Sequence, residues 1–337
     1  GIGYAWLMGR RNGRRVVMHG GDLWEFSTQL LLAPDENLGL FVSGNSSGAA
    51  PLADELVKAL FDTFFPSPEA ADASGIVRPA GDLSTLGAAD TARDPSQLAG
   101  VYRMTRRPVT TADKAISVLT EFRVAAQDDG TLTLAFPAGY GMPMTTWAPA
   151  GQGLYRDTAG DDLMAFDDWK AVAGKTRPSR MYIGTWAFER APVYETASFT
   201  LAAVAGMAAV FVWAVLAWVF GRKVSGLAAV LGLVNLAAIA GIAGSLLAIP
   251  AWELTTAVPQ MTKAALALPL AGAALALALV LQTIKRITAE KQRQRWTFYS
   301  RRTRTGLTGA VLPWLVIAAD GAFIWLLHTW NLLGWRF

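Results

Sequence analysis

Hydrophobic positions are arranged in three different ways along this chain. Near the start they come in short runs broken by turn residues: 2–9 and 14–19 flank Asn12-Gly13, and 26–33 and 38–44 follow. Asn-Gly tolerates positive φ at both central positions of a two-residue turn, so the first two runs are predicted to form a β-hairpin. The next two continue it as an antiparallel meander. Between Pro51 and Phe65 the period changes. Leu52, Leu56, Ala59, Leu60 and Phe64 recur at helical spacing, Pro51 suits a first turn, and Pro66 is a stop. The expectation is an amphipathic helix laid on one face of the sheet.

Residues 67–96 show no sustained period and are rich in Pro, Ala, Asp, Ser and Gly, which reads as a linker. Short apolar runs then resume over 97–192. The clearest are Val101 to Met104, Ile116 to Ala126, Thr131 to Phe136, Leu163 to Phe166 and Met181 to Phe188, with Asp128-Asp129-Gly130 as a turn between two of them. Strands at this spacing predict a small antiparallel sheet or barrel. Trp147, Trp169 and Trp186 there would either line a ligand cavity or fill a core. Over 193–337 the pattern is continuous rather than periodic. Segments of about 197–220, 224–249, 262–284 and 307–333 are each long and apolar enough to span a bilayer. The fold class expected is therefore α+β for residues 1–66, an antiparallel β domain for 97–192, and an all-α four-helix transmembrane domain.

Charge sharpens this division. Residues 1–196 carry 18 Lys/Arg and 23 Asp/Glu, whereas 197–337 carry 12 and 3, which sums to the net +4 of the chain. The basic excess sits in 285–306, where Lys285, Arg286, Lys291, Arg293, Arg295, Arg301, Arg302 and Arg304 face only Glu290. Loop 250–261 holds Glu253 and no Lys or Arg. The positive-inside rule puts 285–306 in the cytoplasm and the globular residues outside. A membrane-flanking basic loop explains the charge without a nucleic-acid partner, and the partner expected is the lipid bilayer. The chain has no cysteine and two histidines, so disulfides, thiolate chemistry and His- or Cys-rich metal sites are excluded, and no cofactor is expected. Asp320 and Asn235 stand out inside apolar segments, where polar groups tend to face the bundle interior; they are expected to meet there.

One stretch carries candidate chemistry. The run from Arg15 breaks at His19-Gly20-Gly21 and resumes at Phe26, and paired glycines let a backbone approach a ligand closely. His19-Gly20-Gly21, then Phe26-Ser27, Pro34-Asp35, and an apolar strand Leu38 to Ser43 before Asn45 resembles the end of the penicillin-binding transpeptidase fold. Class C β-lactamases, D-alanyl-D-alanine carboxypeptidases and related serine esterases share that fold. In that family a Lys-Thr-Gly or His-x-Gly triplet opens the strand lining the active site. The resemblance, over about the first 65 residues, implies that His19 takes the place of the family's lysine. It also implies that the Asp22 N–H is an oxyanion-hole donor and that Gly20 and Gly21 bind substrate. The family's Ser-x-x-Lys is missing, so the nucleophile is absent from this chain. The chain is expected to be the C-terminal part of a membrane-anchored serine hydrolase acting on a small peptide of the peptidoglycan type, a β-lactam or an ester. Trp24-Glu25, where relatives usually carry Pro-Gly or Gly-Gly, is the main departure. The alternative is a non-catalytic extracytoplasmic binding or sensory module coupled to a membrane domain. The β domain is similar to the lipocalin-like domain often appended to such hydrolases.

Overall fold

A computed structural model describes residues 2–23, 26–46, 49–66, 94–137, 142–151, 153–159, 162–172, 174–222, 224–248, 260–296 and 307–333. Residues 67–93 of the expected linker 67–96, Trp24-Glu25, Glu253 and the arginines at 301, 302 and 304 lie outside the described residues, and Pro95–Gln97 at the linker's end is a 3-10 helix. Two compact units divide the chain: residues 1–98, 126–132 and 145–188 form one, and residues 99–125, 133–144 and 189–337 the other.

Within the first unit, a five-stranded antiparallel sheet runs in simple sequential order: β1 (Ile2–Gly3), β2 (Trp6–Arg11), β3 (Arg14–Leu23), β4 (Phe26–Ala33) and β5 (Leu38–Gly44). The β2–β3 turn is the expected Asn12-Gly13, with φ of 46° and 77° and Arg11 opposite Arg14. Pro34–Glu36 forms a 3-10 turn before β5, closed by Asn37 at φ 49°. Helix α1 (Ala49–Phe64) then packs on one face of the sheet. Its buried stripe is Ala49, Ala53, Val57 and Phe61, and Val57 and Phe61 meet Val16, Leu31 and Ala33. That corrects the expected stripe by one position, since Leu52, Leu56 and Phe64 are exposed. Both stripes have helical spacing. The one with small residues at Ala49 and Ala53 lets the helix backbone come close to the sheet, so volume decides between them.

Thirteen strands are described in all. The later ones are β6 (Gly100–Met104), β7 (Phe122–Ala126), β8 (Leu132–Ala135), β9 (Thr145–Gly151), β10 (Leu154–Asp157), β11 (Leu163–Val172), β12 (Lys175–Ile183) and β13 (Trp186–Arg190). They close in the order β10-β11-β12-β13-β6-β7-β8-β9, an eight-stranded barrel. The run expected as a strand from Ile116 ends differently: Ala112–Val118 is a 3-10 helix and the strand begins at Phe122. Met181 to Phe188 is broken by a turn at Gly184, whose φ is 56°, so one expected strand is the end of β12 and the start of β13. Trp147 is core, Trp169 is half-buried and Trp186 is 46% exposed, so the three tryptophans do not share one environment.

The second unit contains four long apolar helices: α2 (Ala197–Val219), α3 (Gly226–Ala248), α4 (Gln260–Trp296) and α5 (Leu307–Thr329). Each is long and apolar enough to cross a membrane, which makes this a multi-pass membrane protein. The 23-residue helices are about 35 Å long, and α4, with 37 residues, is about 55 Å. Apolar side chains gain little from meeting each other in lipid, so close packing has to hold the bundle together. Glycines supply it. A Cβ at Gly232 of α3 would lie 2.9 Å from the Phe211 carbonyl oxygen of α2, and one at Gly241 would lie 2.7 Å from Ala265 Cβ of α4. Helix ends are finished locally. Thr196 caps α2 by accepting from the Phe199 N–H, and Gly221 (φ 64°) ends it with the Arg222 N–H on the Ala217 carbonyl. Asn331 (φ 56°) does the same for α5, with the Leu332 N–H on the Leu327 carbonyl.

Candidate functional site

The sequence points first to β3. Its first half, Arg14 to Met18, pairs with β2, and the register of that pairing ends at Leu7 opposite Met18. The second half pairs with β4: His19 opposite Leu30, Gly20 opposite Gln29, Gly21 opposite Thr28 and Asp22 opposite Ser27. Among the described residues, His19 to Leu23 therefore have a strand on one edge alone. An antiparallel strand paired on one edge presents the N–H and C=O of alternate residues on the other. His19, Gly20, Gly21 and Asp22 are all exposed.

The four residues are thus consecutive on one strand end, and Gly21 and Asp22 have local accounts there. A Cβ at Gly21 would sit 3.1 Å from Thr28 Oγ1, and that hydroxyl donates to the Gly21 carbonyl at 3.0 Å. The cross-strand approach of Thr28 is a sufficient reason for glycine at 21. At Gly20 a Cβ would meet only the Thr28 carbonyl oxygen, at 3.5 Å, so that position has room for a group coming from the open edge. The Asp22 carboxylate accepts a short hydrogen bond from Ser27 Oγ. That bond fixes the strand end around the Asp22 backbone. Arginines at the opposite end of the hairpin are engaged by the following turn: Arg14 by Glu36 at 2.7 Å and Arg15 by Asp35 at 2.8 Å.

A second cluster of polar groups, which no sequence spacing announced, lies within the other unit. Arg103 of β6 is 1% exposed. Its guanidinium donates to Glu121 Oε1 at 3.1 Å, to Glu195 Oε2 at 3.3 Å, and through a further short bond to the Glu195 carbonyl oxygen. Glu121 Oε1 also accepts from the Ala197 N–H at 2.6 Å, which places a carboxylate on the N-terminus of α2, where the helix dipole favours it. Lys114 Nζ donates to Glu195 Oε1 at 2.9 Å and to the Thr329 carbonyl at 2.8 Å, at the C-terminal end of α5. The Trp330 ring lies 5.1 Å from the Arg103 guanidinium carbon and 5.7 Å from Lys114 Nζ. Asn331 Nδ2 donates to the Val109 and Thr111 carbonyls at 2.8 and 3.2 Å. Burial pushes the Arg103 guanidinium below its usual range, and the Glu121 and Glu195 carboxylates oppose that shift. Residues 103–121 are thereby tied to the ends of two membrane-spanning helices.

Among the described residues no group of three or more His, Cys, Asp or Glu converges on a metal-sized site. No family model matches the chain, and no curated protein matches it either. Among solved structures, SurE with D-Leu and SurE alone each match with a TM-score of 0.28 at 17% identity, over 55% of this chain and 37% and 36% of theirs. The octameric penicillin-binding protein homologue from Pyrococcus abyssi matches with a TM-score of 0.16 at 13% identity, over 56% of this chain and 36% of that one. The chain thus spans little more than a third of the length of the solved chains it matches. These weak likenesses, at such scores, establish neither a shared fold nor a shared activity.

Proposed function

We propose that this chain belongs to a membrane-anchored serine hydrolase of the β-lactamase and penicillin-binding superfamily, acting on peptidoglycan-type peptides, β-lactams or esters. Residues 1–66 would be the C-terminal part of the hydrolase domain, 97–192 a lipocalin-like β domain, and 193–337 the membrane anchor, with the globular parts outside the cytoplasmic membrane. The observation that supports this best is the half-open strand His19-Gly20-Gly21-Asp22, exposed and free of β2 along one edge. An acyl-transfer site needs a backbone N–H aimed at the developing oxyanion, and the Asp22 N–H is the candidate. His19 would bind the substrate carboxylate or adjust the base network. No serine here is followed three residues later by lysine, so the nucleophile has to come from another segment.

The test is turnover of a chromogenic ester or β-lactam by the protein that joins this chain to its serine. His19→Ala should lower kcat/KM by roughly 10²–10⁴-fold, as expected for a positioned acid–base group, with little change in melting temperature. Equal kcat/KM in both proteins would remove His19 from the site. A second reading is supported by the Arg103 cluster: a non-catalytic binding or sensory module whose residues 103–121 grip the ends of α2 and α5. A fluorophosphonate or fluorescent penicillin separates the two readings, since only the hydrolase would be labelled at a serine.

A further inference from the structure

Inside the helical bundle lies a polar pair drawn from two helices and set against a third. Asp320 of α5 is 2% exposed and Asn235 of α3 is fully buried. Asn235 Nδ2 donates to Asp320 Oδ1 at 2.7 Å. Asn235 Oδ1, also fully buried, has no hydrogen-bond partner. On the α4 side the pair meets Gly272. A Cβ there would stand 3.1 Å from Asp320 Oδ1 and 3.2 Å from Asn235 Oδ1, so both oxygens face the same point on a backbone that has no side chain. Two acceptor oxygens thus lie together in hydrocarbon, one on an ionisable group and one without a donor.

Charge compensation from the surroundings is absent among the described residues. Helices α2 and α3 contain no Asp, Glu, Lys, Arg or His. On α4 the nearest charged residue along the helix is Lys263, nine positions from Gly272 and so about 13 Å along the axis; Lys285, Arg286, Glu290, Lys291, Arg293 and Arg295 are all further. On α5 the other titratable group is His328, eight positions and about 12 Å from Asp320. An isolated carboxylate in such a medium is very costly. A metal ion would relieve it, but calcium takes about 6–8 oxygen ligands and magnesium six. Two side-chain oxygens do not make such a cage. A proton needs no more than these two groups. A carboxylic acid has an O–H to give, and Asn235 Oδ1 is the acceptor that lacks one.

We propose that Asn235 and Asp320, packed on Gly272, form a proton-binding site inside the bundle, in which the Asp320 carboxyl carries the proton and donates it to Asn235 Oδ1. Acid and amide then each give one hydrogen bond and receive one. Binding makes a single O–H bond and breaks none other than that of the donor, which is solvent water or hydronium. This site is independent of any hydrolase activity and links three of the four membrane helices to one protonation event.

The test is infrared difference spectroscopy on the full chain in lipid nanodiscs near neutral pH. Wild type should show a protonated-carboxyl C=O band that is lost in Asp320→Asn and displaced in Asn235→Ala, where its acceptor is gone. A carboxylate spectrum assigned to Asp320 at neutral pH would overturn the proposal, and so would a band indifferent to Asn235→Ala. Wild type alone offers a second measurement should either variant fail to fold. A hydrophobic carbodiimide, which reacts with protonated carboxyls in apolar surroundings, should modify Asp320 by peptide mass mapping. Modification confined to other carboxyls would count against the site.

Discussion

Arg15 and Arg103 each meet carboxylates, and the comparison separates two parts of the molecule that use the same chemistry for different ends. Arg15 makes a two-pronged contact with Asp35 through bonds of 3.1 and 2.8 Å, but both side chains are more than half exposed. Water and salt compete for the pair, so the hairpin is held by its Asn12-Gly13 turn and by the Val16, Leu31 and Phe61 core instead. Arg103 is taken out of water altogether and is partnered by Glu121 and Glu195. Its desolvation is offset only while both carboxylates stay in place. A surface pair can be lost with little consequence, whereas a buried one fixes which segments must stay together. The buried set ties residues 103–121 to the helix ends. Among the described residues, the ion pairs of the sheet that carries His19 and of the helix on it are of the surface kind.

The sharpest way to break this contrast is Arg103→Ala. It removes the buried guanidinium that Glu121 and Glu195 share and leaves them only Arg123 and Lys114; losing one partner of a buried ion pair costs about 3–5 kcal/mol in comparable sites. Thermal unfolding in detergent should show a large loss in the unit containing α2 and α5. A loss under about 1 kcal/mol would mean that the network is solvated in practice and that the comparison is wrong.

How much of this was readable beforehand depended on the range of the interaction. Asn12-Gly13, the strands at 26–33 and 38–44, and the four apolar helices are local patterns, and all were legible. So was the meeting of Asn235 and Asp320, because polar groups in apolar spans have few places to go. The barrel was legible only as a class. Strands β9 and β10 were not among the expected runs; they pair with a register shift, and Gly151 and Gly153 beside them sit at φ 84° and 74°. Closure needs pairings distant in sequence, and no local pattern encodes them. The Arg103 cluster escaped for the same reason: its partners are 18 and 92 residues away, and isolated charges on short strands look like solvated ones. For α1, periodicity gave the helix but could not choose between two apolar stripes.

An intermediate case tests whether burial grades the effect. Lys114 Nζ bridges Glu195 and the Thr329 carbonyl while its side chain stays 17% exposed. Lys114→Ala removes two charge-assisted bonds at a site that water partly reaches. The expected cost is about 1.5–3 kcal/mol, clearly below that of Arg103→Ala. If the two variants melt together, position within the cluster matters less than its integrity, and the network acts as one unit.

The smallest effect belongs to Arg15→Ala. The Arg15 hydrogen bond holds the Asp35 carboxyl below its ordinary value of 3.8 against an opposing desolvation, with smaller help from the charges of Arg15 and Arg10. A carboxyl depressed on folding contributes stability above its unfolded value, and that contribution is lost as pH falls through the folded value. Whatever this pair contributes is therefore fully present at neutral pH and disappears as pH falls through the folded pKa. Near neutral pH, Arg15→Ala should leave the melting temperature unchanged within error, and added salt should erase what difference there is. The direct readout is an NMR titration of the Asp35 carboxyl, whose midpoint should move up towards 3.8 in the variant. A substantial drop in melting temperature at neutral pH would show that the hairpin depends on its surface charge after all. The contrast with Arg103 would then rest on partner number rather than on burial.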